Sequence, residues 1–102
     1  MKIIMTGAKG YIGSQLVLFF KKKKIIVKKV DCKDLKYIKI NQTFTHFIHL
    51  EHYIKNTKKN FENNIKNIKK VLNFCDINNL FLIFPSTASF KYSNFKRLSD
   101  DI

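Results

Sequence analysis

The chain is 102 residues long, the size of one domain, so a two-lobed architecture is not expected within it. With 45% hydrophobic, 14% aromatic and 26% charged residues the composition is that of a globular chain, which excludes intrinsic disorder. The net charge of +13 would suit an anionic partner, but 19 of the 20 cations are Lys, and Lys, Asn, Ile and Phe, all encoded by A/T-rich codons, supply 53 of the 102 residues, so base composition is the simpler origin of the charge.

Lys2 to Thr6 is a short apolar run ending at Gly7, as expected of a buried strand feeding a turn. Ile12, Leu16 and Phe19 then recur on one helical face, and the four lysines Lys21 to Lys24 suit the negative end of that helix. Ile25 to Val30 reads as a second strand with Asp31 just past it, and Asp34 to Ile40 as at most one or two helical turns. Phe44 to Leu50 carries the aromatic and β-branched residues of a third strand. Phe61, Ile65, Ile68, Leu72 and Cys75 mark the apolar face of a long helix, and Leu80 to Phe84 is a fourth apolar strand stopped by Pro85. Apolar strands alternating with helices predict an α/β fold: a Rossmann-like, doubly wound parallel sheet of about four strands, covered on both faces.

Cys32 and Cys75 show no C-x-x-C spacing, no signal peptide is visible, and the apolar runs are far shorter than the roughly 20 residues a bilayer requires. The reading is a cytoplasmic protein with no membrane partner. His46, His49 and His52 do not converge if they lie on a strand, so no metal site is expected. The lysines lack any accompanying nucleic-acid motif, which makes nucleic acid the least favoured partner.

The chemistry-bearing motif lies between the first strand and the first helix: Gly7-Ala8-Lys9-Gly10-Tyr11-Ile12-Gly13, a G-x-x-G-x-x-G spacing that takes up all three glycines of the chain. Gly7 serves the tight turn, Gly10 admits a pyrophosphate close to the backbone, and Gly13 lets the helix pack on the strand. The helix N-terminus then offers free N–H groups to the diphosphate. Asp31, 18 residues after Gly13, stands where a carboxylate accepts hydrogen bonds from ribose hydroxyls and repels a 2′-phosphate, which favours NAD as cofactor.

With these residues in view, the chain resembles the NAD-dependent epimerase/dehydratase family of extended short-chain dehydrogenases, on its sugar-nucleotide epimerase side. Met5-Thr6-Gly7 through Gly10-Tyr11-Ile12-Gly13-Ser14 is similar to that family's V-T-G-x-x-G-Y-I-G-S, and His46 to Leu50 to its third-strand end. Phe61-Glu62-Asn63-Asn64-Ile65 resembles Y-Y-x-N-N-V, and Phe84-Pro85-Ser86-Thr87-Ala88-Ser89 resembles F-S-S-T-A-S. The resemblance implies that Gly7, Gly10, Tyr11, Ile12 and Gly13 hold the pyrophosphate, Asp31 the ribose, and Asp34 and Leu35 the adenine, with Asn64 near the cofactor. It further implies a Y-x-x-x-K pair, Tyr92 and Lys96, in which Tyr92 is the base and Lys96 lowers its pKa, while Thr87 hydrogen-bonds the reacting oxygen of a UDP-hexose. The implied reaction is hydride transfer from C4 of the sugar to NAD⁺ and back.

The sequence departs from the family in several places. Only four residues separate Thr87 from Tyr92, Glu51 and His52 replace small residues, and Asn67-Ile68 replaces Gly-Thr. The likeness covers the cofactor half, residues 1–102, with no sugar-nucleotide lobe expected. Two other readings stand beside the enzyme: a degenerate nucleotide-binding pseudoenzyme, and a basic nucleic-acid or membrane binder. The unfinished sheet also suits a homo-oligomer or a partner chain.

Overall fold

The computed structural model describes residues 1–85. They form β1 (Lys2–Thr6), α1 (Tyr11–Lys22), β2 (Ile26–Val30), a 3₁₀ segment η1 (Cys32–Tyr37), β3 (Phe44–His49), α2 (Lys58–Asn78) and β4 (Phe81–Ile83). All strand pairs are parallel and the order across the sheet is β2-β1-β3-β4. Parallel neighbours need crossovers, and the chain supplies three: α1, η1 and α2. The chain leaves β1 toward β2, then returns across it to β3, so the order reverses between β1 and β3. That reversal opens a crevice beyond the carboxyl ends of the two central strands.

Strand alternation sorts the core into two layers. Ile3, Met5 and Ile48 face α1, packing with Leu16, Val17 and Phe20, while Ile4 and Phe47 face the other side with Cys32, Leu35, Val71, Phe74 and Cys75. Phe47 and Phe74 meet edge to face with ring centroids 5.8 Å apart. Phe44 joins the second layer although His46 does not, because Lys2 pairs with Phe44 and Ile3 with His46, leaving Thr45 as an extra residue that re-aims the strand. The helices cover the central strands and leave the edges open: Phe81 on β4 is 75% exposed and Ile26 on β2 is 55% exposed. The expectation of strands covered on both faces therefore holds only for β1 and β3.

Both helices bury a face rotated from the one that apolar periodicity predicts. In α1 the buried and packed positions are Gly13, Leu16, Val17 and Phe20, whereas Ile12 and Phe19 lie largely in solvent. In α2 the inward stripe is Asn60, Asn64, Asn67, Val71 and Phe74, one residue back from the expected Phe61, Ile65 and Leu72, with half-buried Ile68 and buried Cys75 of the expected face also turned inward. Hydrogen bonds run along the rotated face. Asn60 Nδ2 donates to the Lys55 carbonyl (3.1 Å), Asn64 both accepts from the Tyr53 N–H (2.9 Å) and donates to its carbonyl (3.1 Å), and Asn67 Nδ2 reaches Glu51 Oε2 (3.5 Å). Residues 51, 53 and 55 of the connecting strand-to-helix segment are thus held in turn by three asparagines of the helix. These bonds accompany the burial of Val71 and Phe74 on the same face, and Phe61 and Leu72 stay exposed. Thr57 caps the helix, its Oγ1 accepting from the Asn60 N–H at 3.1 Å.

Candidate functional site

The loop after β1 meets the start of α1 at the mouth of the crevice. Gly7 has φ +73°, and a Cβ there would lie 2.7 Å from the Glu51 nitrogen, so glycine is required twice over. A Cβ on Gly13 would lie 2.0 Å from the Gly7 carbonyl oxygen, which is why the helix can seat directly on the turn only with glycine at 13. Gly10 differs from both. Its φ of −71° suits any residue, and a Cβ there would meet nothing closer than the Gly7 oxygen at 3.4 Å. The fold does not need Gly10; a ligand approaching the backbone would.

The Gly10 N–H donates to the Gly7 carbonyl (3.1 Å) and the first helical bond runs from the Ser14 N–H to the Gly10 carbonyl (2.9 Å). By helix geometry the N–H groups of Tyr11, Ile12 and Gly13 have no intrahelical acceptor, and no acidic side chain occupies this first turn. The side chains of Tyr11 and Ile12 are exposed, so what these residues offer the crevice is backbone. The arrangement is chemically suited to an anionic group such as a phosphate.

Thr6 pairs with Val30 in the sheet, so Asp31 leaves β2 beside the point where Gly7 leaves β1, and its side chain is exposed. Asp34 is exposed as well, but Leu35 is buried in the core against α2. Of the pair expected at adenine, Leu35 thus has its side chain committed to packing. Asn64 is committed too, as the clamp on Tyr53 described above; it positions the loop after β3. Thr87, Tyr92 and Lys96 lie outside the described residues.

A buried polar network beneath the crevice escapes sequence reading. Thr6 Oγ1 accepts from the N–H groups of Leu50 (3.0 Å) and Glu51 (3.2 Å) and lies 2.7 Å from His49 Nδ1. With both lone pairs engaged, the Thr6 hydroxyl donates to His49, which fixes the neutral tautomer protonated on Nε2. Burial, with His52 a lesser contributor, holds His49 below the usual histidine range, in keeping with that assignment. The His49 ring stacks on Phe84 with centroids 5.6 Å apart. Glu51 Oε1 accepts from the Cys32 N–H at 3.1 Å, linking the segment after β3 to the start of η1. The available signal is position: Thr6 and His49 are polar residues at the carboxyl ends of the two central strands, directly after the apolar pairs Ile4-Met5 and Phe47-Ile48.

Cys32 Sγ lies 3.9 Å from His49 Nδ1, the disposition of a thiol and a base. It is not a nucleophile. Burial, reinforced by Glu51, pushes its thiol up to about 12, and the His49 lone pair is already taken by Thr6. Burial pushes Cys75 up to about 11. Both thiols are expected to resist an aromatic disulfide reagent at pH 8 in the folded protein and to react fully in denaturant. Fast labelling of either under native conditions would contradict the burial.

Among the described residues no three His, Cys, Asp or Glu side chains gather as a metal site would require, and no helix is long and apolar enough to cross a membrane. No family model and no curated protein matches the chain. Among solved structures it is similar to a short-chain dehydrogenase/reductase superfamily protein from Agrobacterium tumefaciens with bound NAD, with a TM-score of 0.71 and 16% identity. The match covers 85% of this chain and 33% of that one. The fold is therefore the Rossmann-like α/β fold of that superfamily's structures. This chain spans about a third of the length of its structural counterpart.

Proposed function

We infer that the chain is a dinucleotide-binding module of the short-chain dehydrogenase type, with NAD as the cofactor held at the crevice. The observation that carries this reading is Gly10: a glycine that neither backbone conformation nor packing requires, at the N-terminus of a helix, at the point where the strand order reverses. Gly7, Gly10 and the Tyr11–Gly13 backbone would hold the diphosphate, and Asp31 the ribose hydroxyls. Calorimetric titration tests it. NAD⁺ is expected to bind the wild type, and Gly10→Ala is expected to weaken binding at least tenfold while leaving the thermal midpoint within about 2 °C, since the added methyl strains nothing. Equal binding by wild type and variant would remove the phosphate-loop assignment.

The finer reading is a sugar-nucleotide epimerase of the UDP-glucose 4-epimerase kind, and it rests on sequence likeness. When bound, NAD supplies the nicotinamide that takes up and returns a hydride. Tyr92 would accept the C4 hydroxyl proton of a UDP-hexose, Lys96 would lower the phenol pKa, and Thr87 would hydrogen-bond the sugar oxygen. A partner chain or second copy completing the exposed β4 edge belongs to the same proposal. A coupled assay of UDP-galactose conversion is expected to show turnover that Tyr92→Phe lowers at least a hundredfold. One observation favours the second reading, nucleotide binding without catalysis: the Glu51 carboxylate is bonded to the Cys32 N–H just past β2, where the resembled family has a small residue. NAD⁺ binding without turnover would select it.

A further inference from the structure

On the sheet face opposite α1, and away from the glycine loop, a groove of about 770 Å³ runs between the segment 32–40 and the C-terminal half of α2. This volume falls within the roughly 300–1,000 Å³ of small-molecule sites. Its lining is apolar at the base: Leu35 and Phe74, both core residues, lie beneath half-buried Ile38 and Ile40 and exposed Ile77. Its rim carries Lys33, Lys36, Lys39 and Lys70, all exposed. None of the twelve lining residues is acidic, although Asp34 and Asp76 lie on the same two elements, so the positive rim has no neutralising carboxylate within the groove.

An apolar floor under a ring of ammonium groups selects a ligand with an apolar body and an anionic head. The body removes the apolar surface of Ile38, Ile40 and Ile77 from water, and the head meets lysines that form salt bridges without having to leave solvent. Lysines are point charges on flexible stems, so several can turn toward one compact anionic head such as a carboxylate without the fixed geometry that Arg imposes. We propose that this groove binds a long-chain carboxylate, a fatty-acid-like anionic amphiphile, at a site separate from the nucleotide crevice.

The test is fluorescence titration of the full chain with cis-parinaric acid below its critical micelle concentration. Saturable binding at one site per chain is expected, displaced by oleate but not by methyl oleate, and unaffected by NAD⁺ or by Gly10→Ala. The double variant Lys36→Glu/Lys70→Glu is expected to weaken binding at least tenfold. Lys21→Glu/Lys22→Glu, which removes the same charge from the far end of α1, is expected to leave it unchanged. All four lysines are exposed, so folding is not at stake, and circular dichroism checks that directly. Non-saturable uptake, equal displacement by the methyl ester, equal loss in both double variants, or tighter displacement by an acidic amphipathic peptide than by oleate would each overturn the proposal. The last outcome would reassign the groove to a protein partner.

Discussion

Gly13→Ala is expected to destabilise the protein by at least about 3 kcal/mol, the upper end of what overpacking costs, and to lower the thermal midpoint by about 12–24 °C. The reason lies in what the methyl group would strike. Its carbon would fall 2.0 Å from the Gly7 carbonyl oxygen and 2.9 Å from both the Gly7 carbonyl carbon and the Ala8 Cα, all backbone atoms. A clash with a side chain can be relieved by a rotamer change. This one can be relieved only by lifting α1 from the turn, which would pull Leu16, Val17 and Phe20 off Ile3, Met5 and Ile48. Gly10→Ala, three residues earlier in the same motif, is expected to leave the melting curve in place. The pair of variants therefore separates the two kinds of glycine in one loop: one held by the fold, the other left free for a ligand. Calorimetric melting of both measures it, and a midpoint for Gly13→Ala within 3 °C of wild type would contradict the packing described for α1.

That contrast also marks how far the sequence could be read. The strand–glycine loop–helix unit was legible because three signals coincide at one place: an apolar run that ends, glycines at fixed spacing, and a switch from strand to helix period. β1 lies at the expected residues, and the other three strands differ from expectation by one or two residues at their ends. The inward faces of the helices were not legible from apolar periodicity alone. In α2 that count weighs Phe61, Ile65 and Leu72, whereas the face turned inward carries asparagines bonded to the backbone of Tyr53 and Lys55 and to the Glu51 carboxylate. Nothing in local sequence says that Asn64 will meet Tyr53, or that Asn67 will meet Glu51. The packing of Leu35 into the core was not legible for a related reason. With no full helix between β2 and β3, the short η1 must cover this face of the sheet, and its one large aliphatic side chain is drawn into the core. Contacts such as Cys32 with His49, or Glu51 with the Cys32 N–H, join residues 17 and 19 positions apart, and they exist only because the chain crosses back over β1.

Thr6→Val is expected to cost about 2–6 kcal/mol although it nearly preserves shape and only exchanges a hydroxyl for a methyl. Thr6 is fully buried, and its Oγ1 is the shared partner of three groups. The Leu50 N–H retains a second acceptor, the Thr6 carbonyl at 3.2 Å, but the Glu51 N–H and His49 Nδ1 lose the partner described for them, each at about 1–3 kcal/mol. Thr6→Ser keeps the oxygen and is expected to recover most of the loss. The same network makes stability depend on pH. Protonating His49 would place an N–H against an oxygen whose lone pairs are already occupied, and burial opposes the charge as well. His49 therefore has a lower pKa folded than unfolded, so its contribution is complete above about pH 6.5 and is lost as pH falls below that value through the folded pKa. One proton of difference sets a slope of at most about 1.4 kcal/mol per pH unit. His52 and Glu51 flank this site, so the contribution of His49 is isolated by His49→Gln, whose amide can accept from Thr6 but carries no titrating proton. Urea unfolding at pH 5.0, 6.0 and 7.5 is expected to show the wild type losing stability toward acid more steeply than His49→Gln. Parallel profiles for the two proteins would mean that the Thr6 hydroxyl does not hold His49 neutral.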